Sequence, residues 1–240
     1  MSNKRNILLT GAAGRIGTAY RKHAGQQYAF RLADLRPVED PEGHEVLTLD
    51  LADPDAAQRA CEGMDTVIHL AADPRTTAEF YRDLIEPNFK AVYNIYRAAK
   101  DAGCRRLIFA SSVNAVGGYG HERQVRTSDA PCPGNVYGAS KAFGESLGAY
   151  FGHAEGLSNI CIRIGAVGEL SHLQADAPDF LRSIFITYRD LCHLLDRCVE
   201  TPNIPYAVVH GVSNNRVNWL DLSETSRLLD YHPTDDAFQP

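Results

Sequence analysis

Asn6-Ile7-Leu8-Leu9-Thr10-Gly11-Ala12-Ala13-Gly14-Arg15-Ile16-Gly17 is the stretch from which the rest of this 240-residue chain can be read. Its first half is a short apolar run of the kind that forms a buried parallel strand. A G-x-x-G-x-x-G follows at once, ahead of a helical pattern. Gly11 there permits a tight turn, Gly14 lets the backbone approach a pyrophosphate, and Gly17 lets helix and strand pack closely. The N–H groups of Arg15 and Ile16, at the positive end of the helix, are placed to bind phosphate anions. The stretch predicts a dinucleotide site opening an α/β fold.

Downstream the same alternation repeats. A second strand over 28–33 ends in Asp34, where such folds hold the adenosine ribose hydroxyls. A carboxylate there repels a 2′-phosphate and so favours NAD over NADP, with Arg36 the nearby group able to compensate one. A third strand spans 46–49. Asp53 then reads as an N-cap and Pro54 as the first residue of a helix through 61. A fourth strand over 66–70 is followed by Ala71-Ala72, small residues that let a cofactor lie close to the backbone. Residues 77–101 carry the longest helical pattern, which Pro87 is expected to kink or break. A fifth strand, 106–112, exits through Ser111-Ser112, and a sixth spans 159–164. Strands alternating with helices over six units predict a doubly wound parallel sheet.

The most chemically pointed run is Val136-Tyr137-Gly138-Ala139-Ser140-Lys141, which opens another helical pattern. Tyr137 and Lys141, at i and i+4, share one helix face. A free phenol titrates near pH ~10, and each unit of downward shift takes ~1.4 kcal/mol of differential stabilisation of the phenolate. A buried ammonium is expected to contribute to that stabilisation, with a bound pyridinium beside it, leaving the phenol a general base near neutral pH. An ordinary surface pair is the alternative for these two residues taken alone.

Three features in this order, the glycine loop, the paired serines and the Tyr-Lys helix, resemble the short-chain dehydrogenase/reductase superfamily in its extended branch of sugar dehydrogenases and epimerases. The resemblance covers nearly the whole chain and implies a Rossmann fold with NAD as cofactor. It implies that Asp50 and Leu51 line the adenine pocket, and that Leu70, Ala71, Ala72 and Ile164 face the cofactor. Glu86-Pro87-Asn88 through Asn94 resembles the branch's N-V-x-G-T-x-N run, which puts Asn88 near the catalytic centre. The hydroxyl that holds the substrate oxygen is expected from Ser112, 25 residues before Tyr137, with Ser111 as fallback.

Within the branch the chain is most similar to uronate dehydrogenases and archaeal NAD-dependent glucose-6-phosphate dehydrogenases. Arg31-Leu32-Ala33-Asp34-Leu35, Arg163-Ile164-Gly165, Tyr188-Arg189-Asp190 and His210-Gly211-Val212-Ser213-Asn214-Asn215 carry that similarity. It implies oxidation of a sugar at C1, by Ser112, Tyr137 and Lys141, to an aldonolactone. A phosphorylated hexose as substrate, or a nucleotide-sugar epimerase or dehydratase activity, is the alternative. The carboxylate-binding Arg of uronate dehydrogenases aligns near Phe180, which makes Arg182 a displaced candidate for an anionic group on the sugar, and Asp73-Pro74-Arg75 resembles the sugar-phosphate relatives, which makes Arg75 the other. Asn114 follows the paired serines and joins them on the substrate side. Residues 1–165 are expected to form the NAD-binding core. Residues 166–240 are expected to form a small substrate-binding lid interleaved with the last strand, through a helix at 188–199, a strand at 206–210 and a short helix at 222–229. The loop 114–133 is expected to lie over the sugar.

Bulk properties exclude other classes. The net charge is -6, with no basic stripe, which argues against a nucleic-acid surface. No apolar run approaches the roughly 20 residues of a membrane span, and the N-terminus shows no signal-peptide core, so a cytoplasmic protein is expected. The six cysteines and nine histidines show no metal-ligand spacing. No metal is expected, and the cysteines are read as reduced, mostly buried thiols. By the branch's habit of pairing through long helices, a homo-oligomer is expected.

Overall fold

The computed structural model describes residues 4–239. In chain order the elements begin β1 (Asn6–Thr10), α1 (Arg15–Ala24), β2 (Ala29–Asp34), β3 (Glu45–Thr48), α2 (Pro54–Cys61) and β4 (Thr66–His69). A π-helical segment (Phe80–Lys90) runs directly into α3 (Ala91–Asp101), followed by β5 (Arg106–Ser112), α4 (Val136–His153) and β6 (Ser158–Ile164). The chain continues through β7 (Ala166–Gly168), α5 (Asp179–Ser183), β8 (Phe185–Thr187), α6 (Tyr188–Glu200), β9 (Tyr206–Gly211) and α7 (Ser223–Leu229).

Seven strands form one sheet in the order β3-β2-β1-β4-β5-β6-β9, every neighbouring pair parallel. The order reverses between β1 and β4, which opens a crevice at the strands' carboxyl ends. Both faces are covered. Ile7 and Leu9 of β1 pack with Tyr20 of α1 and Leu191 to Val199 of α6, while Leu8 packs with Ala57 of α2 and Ile95 of α3 on the other side. This alternation is why the central strands read as near-continuous apolar runs. β9, from the segment expected as a lid, is the seventh strand of this sheet, whereas β7 and β8 pair as a separate parallel ribbon.

Local sequence accounts for the boundaries. Asp53 caps α2 by accepting the Asp55 N–H at 2.9 Å, with Pro54 at the first helical position. Pro87 does not end its helix. It lies in π-helical turns such as that closed by the Leu84 N–H on the Glu79 carbonyl, and the wider register accommodates a residue with no N–H to donate. On α4, a Cβ at Gly144 would stand 2.2 Å from the Phe109 ring, and one at Gly148 would stand 2.3 Å from Asn159 Oδ1. Their absence lets the helix lie against β5 and β6.

Five of the six cysteines are buried and all six are free thiols. Among the described residues no helix is long and apolar enough to cross a membrane. The loop 114–133 turns away from the expected position over a sugar: Val116 and Val125 are fully buried against Trp219 and Leu220, and only its first residue, Asn114, reaches the crevice.

Candidate active site

The crevice is a cavity of about 910 Å³. Its β1–β2 side is built by the glycine loop. Gly11 has φ +68°, and a Cβ there would meet the Ala71 backbone nitrogen at 2.8 Å. Gly17 lets α1 close on the loop, since a Cβ would stand 2.4 Å from the Gly11 carbonyl oxygen. No side chain caps α1 at Gly14, so the Arg15 and Ile16 N–H groups face the cavity end of the helix without an internal acceptor of that kind. Asp34 ties this side together, accepting the Ala13 N–H at 2.9 Å and the Arg36 N–H at 3.0 Å. Asp50 and Leu51 line the same wall. Asp50 accepts the Ala52 N–H, and Asn94 of α3 holds the turn by donating to the Leu51 and Ala52 carbonyls.

The floor is Leu70, Ala71 and Ala72 with Ile164. Beneath it, Thr10 Oγ1 and His69 Nδ1 lie 2.8 Å apart, and the Ala71 N–H donates to Thr10 Oγ1 at 3.3 Å. Burial, with the charge of Lys141 assisting, pushes His69 down to about 3, so this imidazole is neutral at any working pH.

Ser112, Tyr137 and Lys141 share the opposite wall. Asn135 caps α4 by accepting the Gly138 N–H at 2.7 Å, and it donates to Asn114 Oδ1 at 2.8 Å. Asn114 in turn presents its backbone N–H and Nδ2 to Ser112 Oγ at 3.1 and 3.2 Å. The chain of contacts fixes the serine relative to the tyrosine in the first turn of the helix. Lys141 is 4% exposed, its ammonium 5.6 Å from the Tyr137 ring centre and 5.1 Å from that of Phe109. Burial alone lowers it to about 8. The Tyr137 phenol moves opposite to the expected direction: burial raises it, the Ser112 hydroxyl pulls it down, and Asp73 raises it further. Desolvation outweighs the distant ammonium as long as no second positive group adjoins the phenol.

Residues 7–176 match the NAD dependent epimerase/dehydratase family. The chain belongs to that family. It is 33% identical to an NAD-dependent glucose-6-phosphate dehydrogenase of Haloferax volcanii, over 96% of this chain and 94% of the relative. It is also 33% identical to a uronate dehydrogenase of Pseudomonas putida, over 96% of this chain and 84% of the relative. Its fold superposes on a uronate dehydrogenase variant from Agrobacterium tumefaciens complexed with NAD, with TM-score 0.86 and 30% identity, covering 97% of this chain and 86% of the other.

The cofactor of this epimerase/dehydratase family member is NAD, and the residues present fit it. The uncapped start of α1 and the Asp34 carboxylate at the end of β2 are the features that phosphates and a 2′-hydroxyl need. Two residues expected in the site lie outside the cavity. Asn88 is 1% exposed and works beneath it, accepting the Asp73 N–H at 2.8 Å and donating to Ser140 Oγ at 3.0 Å. Arg182 points away, its guanidinium taken up by the carbonyls of Ala177, Gln174, Ala175 and Ala237. Arg75 does line the cavity, clamped on Asp73 at 2.5 Å and Asp83 at 3.2 Å.

Sequence reasoning passed over Asn135, although an Asn immediately ahead of a helical run is a visible cap signal. Arg163 was quoted only as part of a family run, and its buried bidentate pair with Glu145 at 2.9 Å, 2% and 3% exposed, went unread. Glu145 accepts from Ser111 Oγ at 2.6 Å, and Arg163 reaches the Asp129 carbonyl. The signal available was a charged residue inside the apolar strand Ile162-Arg163-Ile164.

Proposed function

We propose that this protein is an NAD-dependent dehydrogenase that oxidises a sugar at C1 to an aldonolactone. The observation that carries this reading is the meeting of Ser112, Tyr137 and Lys141 on one wall of a cavity whose facing wall is the glycine loop. The similarity to a glucose-6-phosphate dehydrogenase and to uronate dehydrogenases supports a sugar as substrate. Asp34, at the end of β2, supports NAD over NADP.

Bound in the cavity, NAD supplies the acceptor for the hydride that leaves C1. Tyr137 removes the proton of the anomeric hydroxyl, so the C1–O bond becomes the lactone carbonyl. Ser112 donates to the same oxygen, oriented for it by Asn114 and Asn135. Lys141, one helical turn away, favours the phenolate and the cofactor's ribose. Asn88 and Ser140 brace the turn on which Tyr137 rides, Ser140 Oγ donating to the Tyr137 carbonyl at 2.7 Å. The segment around β7, α5 and β8 covers the sugar.

The test is to mix purified protein with NAD and glucuronate, galacturonate, glucose, galactose or glucose 6-phosphate, following reduced-nicotinamide absorbance and trapping the lactone with hydroxylamine. NADH with a stoichiometric hydroxamate is the expected result. NAD binding without NADH from any of these sugars would move the assignment to an epimerase.

A further inference from the structure

The charge of the sugar is legible in the cations around the cavity. Four basic side chains line it: Arg15, Arg36, Arg75 and Lys141. Arg15 opens α1 and Arg36 sits 3.6 Å from Asp34, both on the β1–β2 side, across β4 from Ser112 and Tyr137. Lys141 is enclosed between the Phe109 and Tyr137 rings.

Arg75 is the remaining lining cation, and its guanidinium is held by carboxylates. Its Nε lies 3.0 and 3.1 Å from the two Asp73 oxygens, and its Nη2 also meets Asp83. Arg82 shares Asp83 and adds Glu79. Three carboxylates thus surround two guanidiniums, and the cluster is negative before any ligand arrives. On the lid side the cavity is lined by Ala166, Val167 and Ile184, all apolar. Behind them Phe180 stacks on His121 with ring centres 3.6 Å apart and edges onto Trp219 at 5.4 Å. Arg182, two residues on, is spent on backbone carbonyls. A carboxylate or phosphate entering here would lose water without gaining a cation among the described residues.

We propose that the substrate is a neutral aldose, held at its reacting end by Ser112 and Asn114, and that sugars bearing a carboxylate or phosphate are discriminated against. This rests on the C1-dehydrogenase reading above. Two measurements separate the two ideas. In the first, kcat/KM is determined for glucose, galactose and xylose and for glucuronate, galacturonate and glucose 6-phosphate. In the second, the same sugars are titrated by calorimetry into protein saturated with NADH.

The neutral aldose is expected to exceed its acidic counterpart by about tenfold or more in both. A uronate or sugar phosphate that is turned over, or bound, as well as its neutral parent overturns the proposal. Tighter binding of the neutral sugar with no turnover of any sugar supports the charge preference and overturns the dehydrogenase reading alone. Failure of every sugar to bind overturns the proposal as well.

Discussion

Lys141 is where activity and stability pull in opposite directions. Burial lowers its pKa from 10.5 to about 8. Between those values the unfolded chain binds more protons than the folded one, so stability rises with pH. Below about 8 both states hold the proton, and the folded state carries the whole penalty of roughly 3 kcal/mol. Lys141→Met is therefore expected to lose turnover yet melt higher than the parent at pH 7, with the advantage shrinking as pH climbs from 8 towards 10.5; thermal melts across pH check this. Tyr137→Phe is expected to cut kcat by roughly 10²-fold or more while NAD affinity, measured by fluorescence titration, is retained. Because the phenol starts above its ordinary value, kcat/KM of the parent should climb with pH through the neutral and mildly alkaline range. Tyr137, Lys141 and Ser112 were readable because spacing on one helix and position at a strand end are local properties. The direction of the phenol's shift was not readable, because it depends on how much water the folded walls exclude.

The helix α4 illustrates a fit that composition understates. Gly144 and Gly148 cost the helix about 1 kcal/mol each in propensity relative to Ala, yet each is where a ring or a carboxamide of the sheet closes in. Gly144→Ala is expected to destabilise by roughly 1–3 kcal/mol net of the propensity gain, read as a lowered urea midpoint with unchanged slope, because the Phe109 ring must move. The π-helical segment shows the converse limit. Pro87 legitimately signals a break, and only the alternative i+5 register together with the bonds of Asn88 to Asp73 and Ser140 lets the chain continue. The strands of the core were legible for a simpler reason: parallel strands covered on both faces are apolar along their whole length, as in β4 and β5.

Across the whole molecule, much of what escaped the sequence lies after residue 165, where contacts are long-range. Asp190, 2% exposed, accepts the Thr234 and Asp235 N–H groups at 3.0 and 3.1 Å, and the Ala237 carbonyl receives Arg182. Arg182 looked like an anion site in sequence because nothing local says that a carbonyl 55 residues away will claim it. Asp190→Ala should leave the sheet folded, cost roughly 1–3 kcal/mol, and make residues 230–239 cleavable under limited proteolysis that spares the parent; an uncut tail would refute the pinning role. The placement of the thiols gives the molecule a set of internal clocks. Cys61 and Cys104 sit under one helical layer, Cys192 and Cys198 under the other, and Cys161 within the sheet, while Cys132 alone is partly accessible. A thiol reagent should label Cys132 at once and each of the others at the rate its own layer breathes. Mass-resolved labelling of the unaltered protein would then report whether the two faces of the sheet open together or one before the other.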